Sequence, residues 1–254
     1  MSKSKWLALS AGLLAGVAVA GGWRVYSQRS MERIPSAEGL DDPAIAQAYG
    51  RVAVLPQMAL MRRLVAQRAT ALCAVGEAAD IGCGTGLLAT ELARQAPDLH
   101  ITGVDLAAEM LAQAQEHAAR MDMAGRVTFR LGNGNRLPFE DRSLDLAVST
   151  LSLHHWADPV GVFNEIARVL RPGGAFLIAD LRRDMPSPFY LLVWFATRVV
   201  VPPTLRRIGE PLASRNAAYD PYEVARLAQT SRLTGWSMAT GPLWLTVEGK
   251  MIGA

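Results

Sequence analysis

The sequence ADIGCGTGLLATEL places three glycines at alternate positions directly after a short apolar run that contains Asp80. Gly82, Gly84 and Gly86 permit positive φ angles and let a ligand approach the backbone closely. A helical segment follows from Thr85, and the N–H groups at a helix N-terminus favour an anionic group, either a phosphate or a carboxylate. The G-x-G-x-x-G fingerprint of dinucleotide folds has its third glycine one position later, so the spacing here disfavours a nicotinamide cofactor.

Polar residues also follow the next two predicted strands. Asp105 ends a strand, where a carboxylate can accept hydrogen bonds from both hydroxyl groups of a ribose, but it also precedes a helix and could be its N-cap. Asn133 follows the third strand, where its amide could meet an adenine edge. It could equally be a turn residue, because Gly132 and Gly134 flank it. The residues alone leave both pairs of alternatives open.

The elements that position these residues alternate between strands and helices from Val75 onward. Apolar runs without alternation, such as AFLIAD, are typical of parallel strands that are buried on both faces. The predicted strands are Ala78–Ile81, His100–Leu106, Val127–Leu131, Leu144–Leu151 and Ala175–Leu181. The helices predicted between them are Thr85–Gln95, Ala107–Arg120 and Pro159–Leu170. This order predicts an α/β fold with a doubly wound sheet.

The segments on either side of this region have different patterns. Ala44–Leu72 has one continuous helical pattern. Phe189–Val201 is apolar but too short to span a bilayer, and it fits a lid, a substrate wall or an interfacial helix. A helix is predicted over 220–233, where DPYE supplies an N-cap, an N1 proline and a capping-box glutamate. The runs Trp236–Thr240 and Leu243–Gly249 suggest a closing antiparallel pair.

The N-terminal segment carries no charged residue between Lys5 and Arg24, and a tryptophan stands at each of its ends. As a helix it would be about 27 Å long, just short of a typical hydrocarbon core. The AVA triplet at 18–20 also resembles the cleavage site of a secretory signal, but we favour an uncleaved membrane anchor. Gly12 and Gly16 form a small-xxx-small step that could let two such helices pair in a homodimer.

Composition and charge exclude several function classes. The chain has 254 residues, of which 50% are hydrophobic and 19% charged, with a net charge of +3. Nothing in it resembles the dense basic run with interleaved aromatic residues that indicates nucleic-acid binding. Cys73 and Cys83 are the only cysteines. They are too few for a disulfide scaffold or a four-cysteine zinc site, and we predict no metal site.

Four motifs in this order, DIGCGTG, GVDL, LPFEDRSLDLAVSTLSLHHW and EIARVLRPGG, resemble the class I S-adenosylmethionine-dependent methyltransferases. More narrowly, they are similar to the branch that methylates small molecules, including quinone and sterol precursors. The resemblance is dense from Tyr49 to Asp180. It implies a Rossmann-like sheet with strand order 3-2-1-4-5-7-6, the last strand being antiparallel, and it implies S-adenosylmethionine as the cofactor.

The same resemblance implies roles for individual residues. Asp105 would hold the ribose, and Leu106 would lie against the adenine. Asn133 stands where the family more often has Asp, but an amide oxygen can still accept a hydrogen bond from the adenine amino group. The residues that would bind the cofactor are Asp80, Gly82, Gly84, Gly86, Asp105, Leu106 and Asn133.

Catalysis in such an enzyme mainly requires alignment of the reactants and exclusion of water. His154 and His155 follow the fourth predicted strand, where the methyl acceptor should arrive. One of them could remove a proton from the acceptor, and we favour His154. Both could instead shape the pocket or cap the next helix.

We therefore expect a methyltransferase that acts on a small, lipophilic acceptor. Residues 1–30 would anchor it to a membrane, with the catalytic domain in the cytoplasm because the cofactor is a cytoplasmic metabolite. Residues 31–74 would form a linker and a helical lid, and residues 75–254 the methyltransferase domain. The alternatives are a non-catalytic cofactor-binding protein and an NAD-dependent oxidoreductase.

Overall fold

Seven strands form one sheet in the order β3-β2-β1-β4-β5-β7-β6. The computed structural model describes residues 32–35 and 42–252. The strands are β1 (Val75–Ile81), β2 (Asp98–Asp105), β3 (Val127–Leu131), β4 (Leu144–Thr150), β5 (Leu170–Leu181), β6 (Trp236–Thr240) and β7 (Trp244–Lys250). The predicted strand order is therefore confirmed.

Strand direction places the carboxyl ends of the first five strands at one edge of the sheet. β1 pairs in parallel with β2 and β4, and the pairs β2–β3 and β4–β5 are also parallel. β7 runs antiparallel to both β5 and β6, which confirms the predicted antiparallel strand and the closing hairpin. In open α/β sheets, ligands bind outside the carboxyl ends of the parallel strands.

Nine α-helices are present among the described residues. They are α1 (Pro43–Ala53), α2 (Pro56–Leu72), α3 (Leu87–Gln95), α4 (Ala108–Arg120), α5 (Pro159–Val169), α6 (Ser187–Val199), α7 (Pro203–Arg207), α8 (Leu212–Ala217) and α9 (Pro221–Thr230). A short 3₁₀ helix, Leu153–His155, follows β4. The predicted capping box at Asp220 and Glu223 is confirmed, although α9 ends three residues before the expected position.

The prediction of one continuous helix over Ala44–Leu72 is wrong. Two helices occupy this segment, and the break lies at Val54 and Leu55. Leu55 has an extended backbone, with φ −60° and ψ 148°, because the ring of Pro56 disfavours the helical conformation in the preceding residue. Residues of both helices line the cavity described below.

Helices cover both faces of the sheet and bury two apolar clusters. Successive residues of β5 alternate between them, as the pleat of a strand requires. Phe176 and Ile178 pack in the cluster that includes α5 and α9, whereas Ala175 and Leu177 pack in the cluster that includes α2 and α3. The uninterrupted apolar sequence of β5 therefore reflects burial on both faces.

The predicted N-terminal anchor, with its expected helix pairing at Gly12 and Gly16, lies outside the described residues. Within residues 32–35 and 42–252, every helix is too short or too polar to cross a bilayer. The apolar run at Phe189–Val201 is the helix α6, which begins two residues earlier than that run.

Candidate functional site

A cavity of about 660 Å³ opens at the carboxyl edge of the parallel strands. Its wall combines the loops after β1, β2, β3 and β4 with side chains from α1, α2 and the α7–α8 connection. The predicted site residues that line it are Asp80, Gly82, Gly84, Asp105, Leu106, Asn133 and His154. Gly86 does not line the cavity, although it belongs to the same loop.

The glycine loop after β1 has positive φ angles at all three of its glycines. The φ angles are 70° at Gly82, 51° at Gly84 and 69° at Gly86, a region that residues with a Cβ rarely adopt. A Cβ at Gly84 would meet no atom of the described chain within 4 Å, because this position faces the cavity. A ligand can therefore reach the backbone at Gly84 directly.

Gly86 serves packing instead of ligand contact. A Cβ added there would lie 2.6 Å from the Phe129 ring and 2.7 Å from the Ala114 side chain. Gly86 therefore lets the start of α3 approach β3 and α4 closely. In dinucleotide folds the third glycine of the fingerprint has this same role, although here it stands one position earlier.

The Asp105 carboxylate connects the glycine loop to the segment before α4. Its Oδ2 accepts a hydrogen bond from the Gly84 N–H at 2.7 Å, and its Oδ1 accepts one from the Ala107 N–H at 2.9 Å. The second bond forms a turn before α4, whose N-cap is Ala107, so Asp105 is not the N-cap that the sequence allowed. A carboxylate has about four lone-pair sites, so both oxygens keep capacity for ligand hydroxyl groups.

Asp80 is a buried carboxylate at the base of the cavity, only 1% exposed. Its Oδ2 has no hydrogen-bond partner among the described residues. Burial, followed by repulsion from the Asp105 carboxylate, raises the pKa of Asp80 from 3.8 to about 7. A positively charged ligand group beside Oδ2 would lower the pKa of Asp80 again, because an opposite charge stabilises the ionised carboxylate.

Asn133 and Leu106 also line the cavity. The Asn133 Oδ1 accepts a hydrogen bond from the Asn135 N–H at 2.9 Å, which is the turn role considered for this residue. Leu106 lines the cavity with 69% of its surface exposed, as expected for an apolar side chain against which a ligand packs. A contact of either residue with adenine remains a prediction.

His154 lies on the 3₁₀ helix and is paired with Asp180 at the end of β5. The His154 Nδ1 is 2.7 Å from the Asp180 Oδ1, and the His154 backbone N–H donates to the Asp180 Oδ2 at 2.8 Å. Both side chains are only 2% exposed. A carboxylate at Nδ1 makes this nitrogen the N–H donor, which leaves Nε2 as the basic nitrogen of the neutral ring. The neighbouring His155 ring packs on His154, with 3.8 Å between the ring centroids.

Three functional candidates were missed at the sequence level. Asp180 was assigned only to the end of a strand, and its pairing with His154 joins residues 26 positions apart. Arg62 of α2 and Glu210 of the α7–α8 connection also line the cavity. Helical periodicity could have suggested which face of α2 is buried, but it carries no signal for which cation turns toward a cavity.

Residues 79–178 match a protein-family model described as "Methyltransferase domain". An O-methyltransferase of Aspergillus nomiae is 42% identical over 109 residues, which are 43% of this chain and 48% of that protein. A demethylmenaquinone methyltransferase of Tropheryma whipplei is 34% identical over 197 residues, covering 72% of this chain and 77% of that protein. The chain spans only 39% to 61% of the length of the first three curated relatives that it matches.

The fold is also similar to solved structures. A phosphoethanolamine N-methyltransferase of Haemonchus contortus, solved in complex with S-adenosyl-L-methionine, superposes with a TM-score of 0.64 at 17% identity. The superposition covers 84% of this chain and 58% of the other. At this level of identity the likeness concerns the fold.

The glycines of the loop are expected to differ in how much stability they control. Gly86→Ala should lower the free energy of unfolding by more than about 3 kcal/mol, because it adds overpacking to a strained φ angle. Gly84→Ala should cost only about 1–2 kcal/mol, since only the φ angle is unfavourable there. Urea unfolding of both variants measures the difference. Equal losses would contradict the two separate roles.

Asp80 should make stability depend on pH. The folded chain holds a proton on Asp80 that the unfolded chain releases, so its contribution is complete below pH 3.8 and is lost as the pH rises through about 7. Asp80→Asn removes this dependence. The variant should therefore gain stability relative to the wild type between pH 4 and 8, on the order of 4 kcal/mol at most. If the difference in free energy of unfolding between Asp80→Asn and the wild type stayed constant across this pH range, the Asp80 carboxyl would not have a raised pKa.

Proposed function

This chain belongs to the class I S-adenosylmethionine-dependent methyltransferases, and we propose that it transfers a methyl group from S-adenosylmethionine to a small, lipophilic acceptor. The observation that carries the proposal is that the buried Asp80 Oδ2 and the unobstructed backbone of Gly84 line the same cavity. An unpaired carboxylate oxygen in a cavity is costly unless a ligand supplies a donor or a positive charge. The ammonium group of the cofactor fits that requirement.

The cavity offers a suitable partner for each part of the cofactor. Asp80 would face the ammonium group, and Asp105 would accept hydrogen bonds from the ribose hydroxyls. Arg62 would face the carboxylate, since it lines the cavity and its guanidinium donates to the Ala53 carbonyl oxygen at the end of α1. Leu106 and Asn133 would lie at the adenine. A cavity with carboxylates for an ammonium group and a ribose, and a guanidinium for a carboxylate, thus favours a ligand in which a zwitterionic amino acid is joined to a nucleoside.

The two alternative functions receive less support. Asp80 puts a buried carboxylate beside the glycine loop, where an NAD-dependent enzyme must hold a pyrophosphate, and like charges repel, whereas Asp105 suits the ribose of either cofactor. A protein that only binds the cofactor has no need of a buried histidine paired with a carboxylate. The pair formed by His154 and Asp180 therefore favours an enzyme.

S-adenosylmethionine supplies an activated methyl group on a positively charged sulfur. The protein aligns this group with the acceptor and excludes water. We propose that the His154 Nε2 takes the proton from an acceptor hydroxyl as that oxygen gains the methyl group. Asp180 orients the ring through Nδ1 and stabilises the positive charge that the ring acquires.

The lipophilic character of the acceptor is supported by the walls of the cavity and by a nearby surface. Met58, Met61 and Leu181 contribute apolar side chains to the cavity. On α6, the side chains that share one exposed stripe are Leu192, Phe195 and Val199, at 58%, 59% and 64% exposure. With the exposed cations Arg198, Arg206 and Arg207 nearby, this stripe suits an anionic membrane surface, as does the predicted N-terminal anchor.

The segment before the sheet fits the proposed linker and lid. Tyr49 and Met58 of α1 and α2 line the cavity and would cover bound ligands. Arg33 connects the linker to the elements around the proposed base. Its guanidinium donates to the His154 carbonyl oxygen at 2.9 Å and to the Ala217 carbonyl oxygen at 2.6 Å. The name of one relative, a demethylmenaquinone methyltransferase, makes quinols reasonable acceptors to test first.

The cofactor assignment predicts selective thermal stabilisation of the full chain in detergent. S-adenosylmethionine at about 100 times its dissociation constant should raise the melting temperature by several degrees, and NAD should not. Asp105→Ala should abolish the shift, because both the ribose contact and the anchor of the glycine loop are lost. Glu116→Ala removes a carboxylate that is 75% exposed and should keep the shift. A larger shift with NAD would refute the assignment.

The acceptor and the base can be tested together with labelled S-adenosylmethionine and a membrane lipid extract. The wild type should produce a labelled lipid. His154→Ala should lower the rate by on the order of 100-fold or more, and Asp180→Asn should act in the same direction. If S-adenosylmethionine still raises the melting temperature of each variant, the variant still binds the cofactor. A normal rate in His154→Ala with a large loss in His155→Ala would assign the role of base to His155.

A further inference from the structure

Glu210 is a second buried carboxylate in the cavity and belongs to a different part of the chain from the glycine loop. It lies in the connection between α7 and α8, where Gly209 adopts a φ of 84° and the Glu210 N–H donates to the Leu205 carbonyl oxygen. The residue is 3% exposed and lines the cavity together with its neighbours Pro211 and Ser214. The turn thus directs a charged residue inward.

Only part of the Glu210 carboxylate is paired within the part of the chain that the structure describes. Its Oε2 accepts a hydrogen bond from the Ser214 hydroxyl at 2.6 Å. Its Oε1 is buried and has no hydrogen-bond partner among the same residues. A buried oxygen of this kind lowers the stability of the fold, so its position in a ligand cavity indicates that a ligand donates to it.

The position of Glu210 assigns it to the acceptor end of the cavity. The helix α8, which follows Glu210, packs against the 3₁₀ helix that carries His154. Glu210 therefore lies just before a helix that contacts the element carrying the proposed base. The wall of the same cavity includes Leu181 and Trp156, which are largely apolar.

We propose that Glu210 selects the methyl acceptor by accepting a hydrogen bond at Oε1 from one of its hydroxyl groups. The inference rests on the proposed methyl transfer, because it names the substrate class of that same site. An ammonium group has three donors and would need further acceptors, whereas a hydroxyl needs only the single buried oxygen that Glu210 offers. The acceptor class is therefore a hydroxylated molecule with an apolar body, such as a phenol or a quinol.

Binding of two matched probes tests this assignment without requiring methyl transfer. The full chain, saturated with S-adenosylhomocysteine, is titrated by calorimetry with 1-naphthol and with 1-methylnaphthalene, in which a methyl group replaces the hydroxyl. The wild type should prefer 1-naphthol by at least about tenfold, the usual worth of a hydrogen bond to a charged group. Equal binding of the two probes, or binding of neither, would overturn the proposal.

Glu210→Met separates recognition from a structural role. The methionine side chain has a length similar to that of glutamate and carries no charge. In the absence of a bound methyl acceptor, the variant should therefore melt at the same temperature as the wild type or higher. It should lose the preference for 1-naphthol. Glu116→Met makes the same replacement outside the cavity and should keep the preference. A lower melting temperature with an unchanged preference would show that Glu210 only supports the fold.

The readouts also keep this proposal distinct from the proposed function. Stabilisation by S-adenosylmethionine reports on the cofactor end alone and should be equal in the wild type and in Glu210→Met. Its absence from the wild type would refute the methyltransferase proposal. Its presence together with equal affinity for both probes would refute only the role of Glu210.

Discussion

The hydrogen bonds between the end of β2 and the glycine loop are the constraint on which the cavity depends. Asp105 accepts from the Gly84 N–H, while the Val104 carbonyl oxygen accepts from the N–H groups of Gly82 and Cys83 at 2.8 and 3.1 Å. A loop with three glycines has high conformational entropy in the unfolded chain and few side chains to hold it. These three bonds fix its backbone, so that Gly84 faces the cavity while Gly86 packs beneath it.

The same arrangement brings two carboxylates together, which is electrostatically unfavourable. Burial, followed by repulsion from the Asp105 carboxylate, raises the pKa of Asp80 to about 7. The fold tolerates this cost since both faces of the sheet are densely packed, with Phe163, Phe176 and Leu92 among the fully buried side chains. The cavity is therefore organised for a positively charged ligand before any ligand binds.

Local sequence predicted those features that depend on local physics. Uninterrupted apolar runs and glycine turns predicted the strands and the closing hairpin, the DPYE cap predicted the start of α9, and the resemblance supplied the strand order. The break at Pro56 was present in the sequence but was outweighed by the apolar periodicity of the flanking helices. The roles of Asp180 and Glu210 could not be predicted, because both depend on contacts between elements that are distant along the chain.

The two ends of the cavity are built from different kinds of structure, and this separates their functions. The cofactor end consists of strand ends tied by backbone hydrogen bonds, and His154 is fixed to the same framework through Asp180 at the end of β5. Glu210 instead stands on a connection between two short helices. A change in that connection can therefore alter which acceptor fits while the glycine loop and the proposed base keep their positions. Alignment for methyl transfer then depends on the sheet, whereas the choice of acceptor depends on the helices around it.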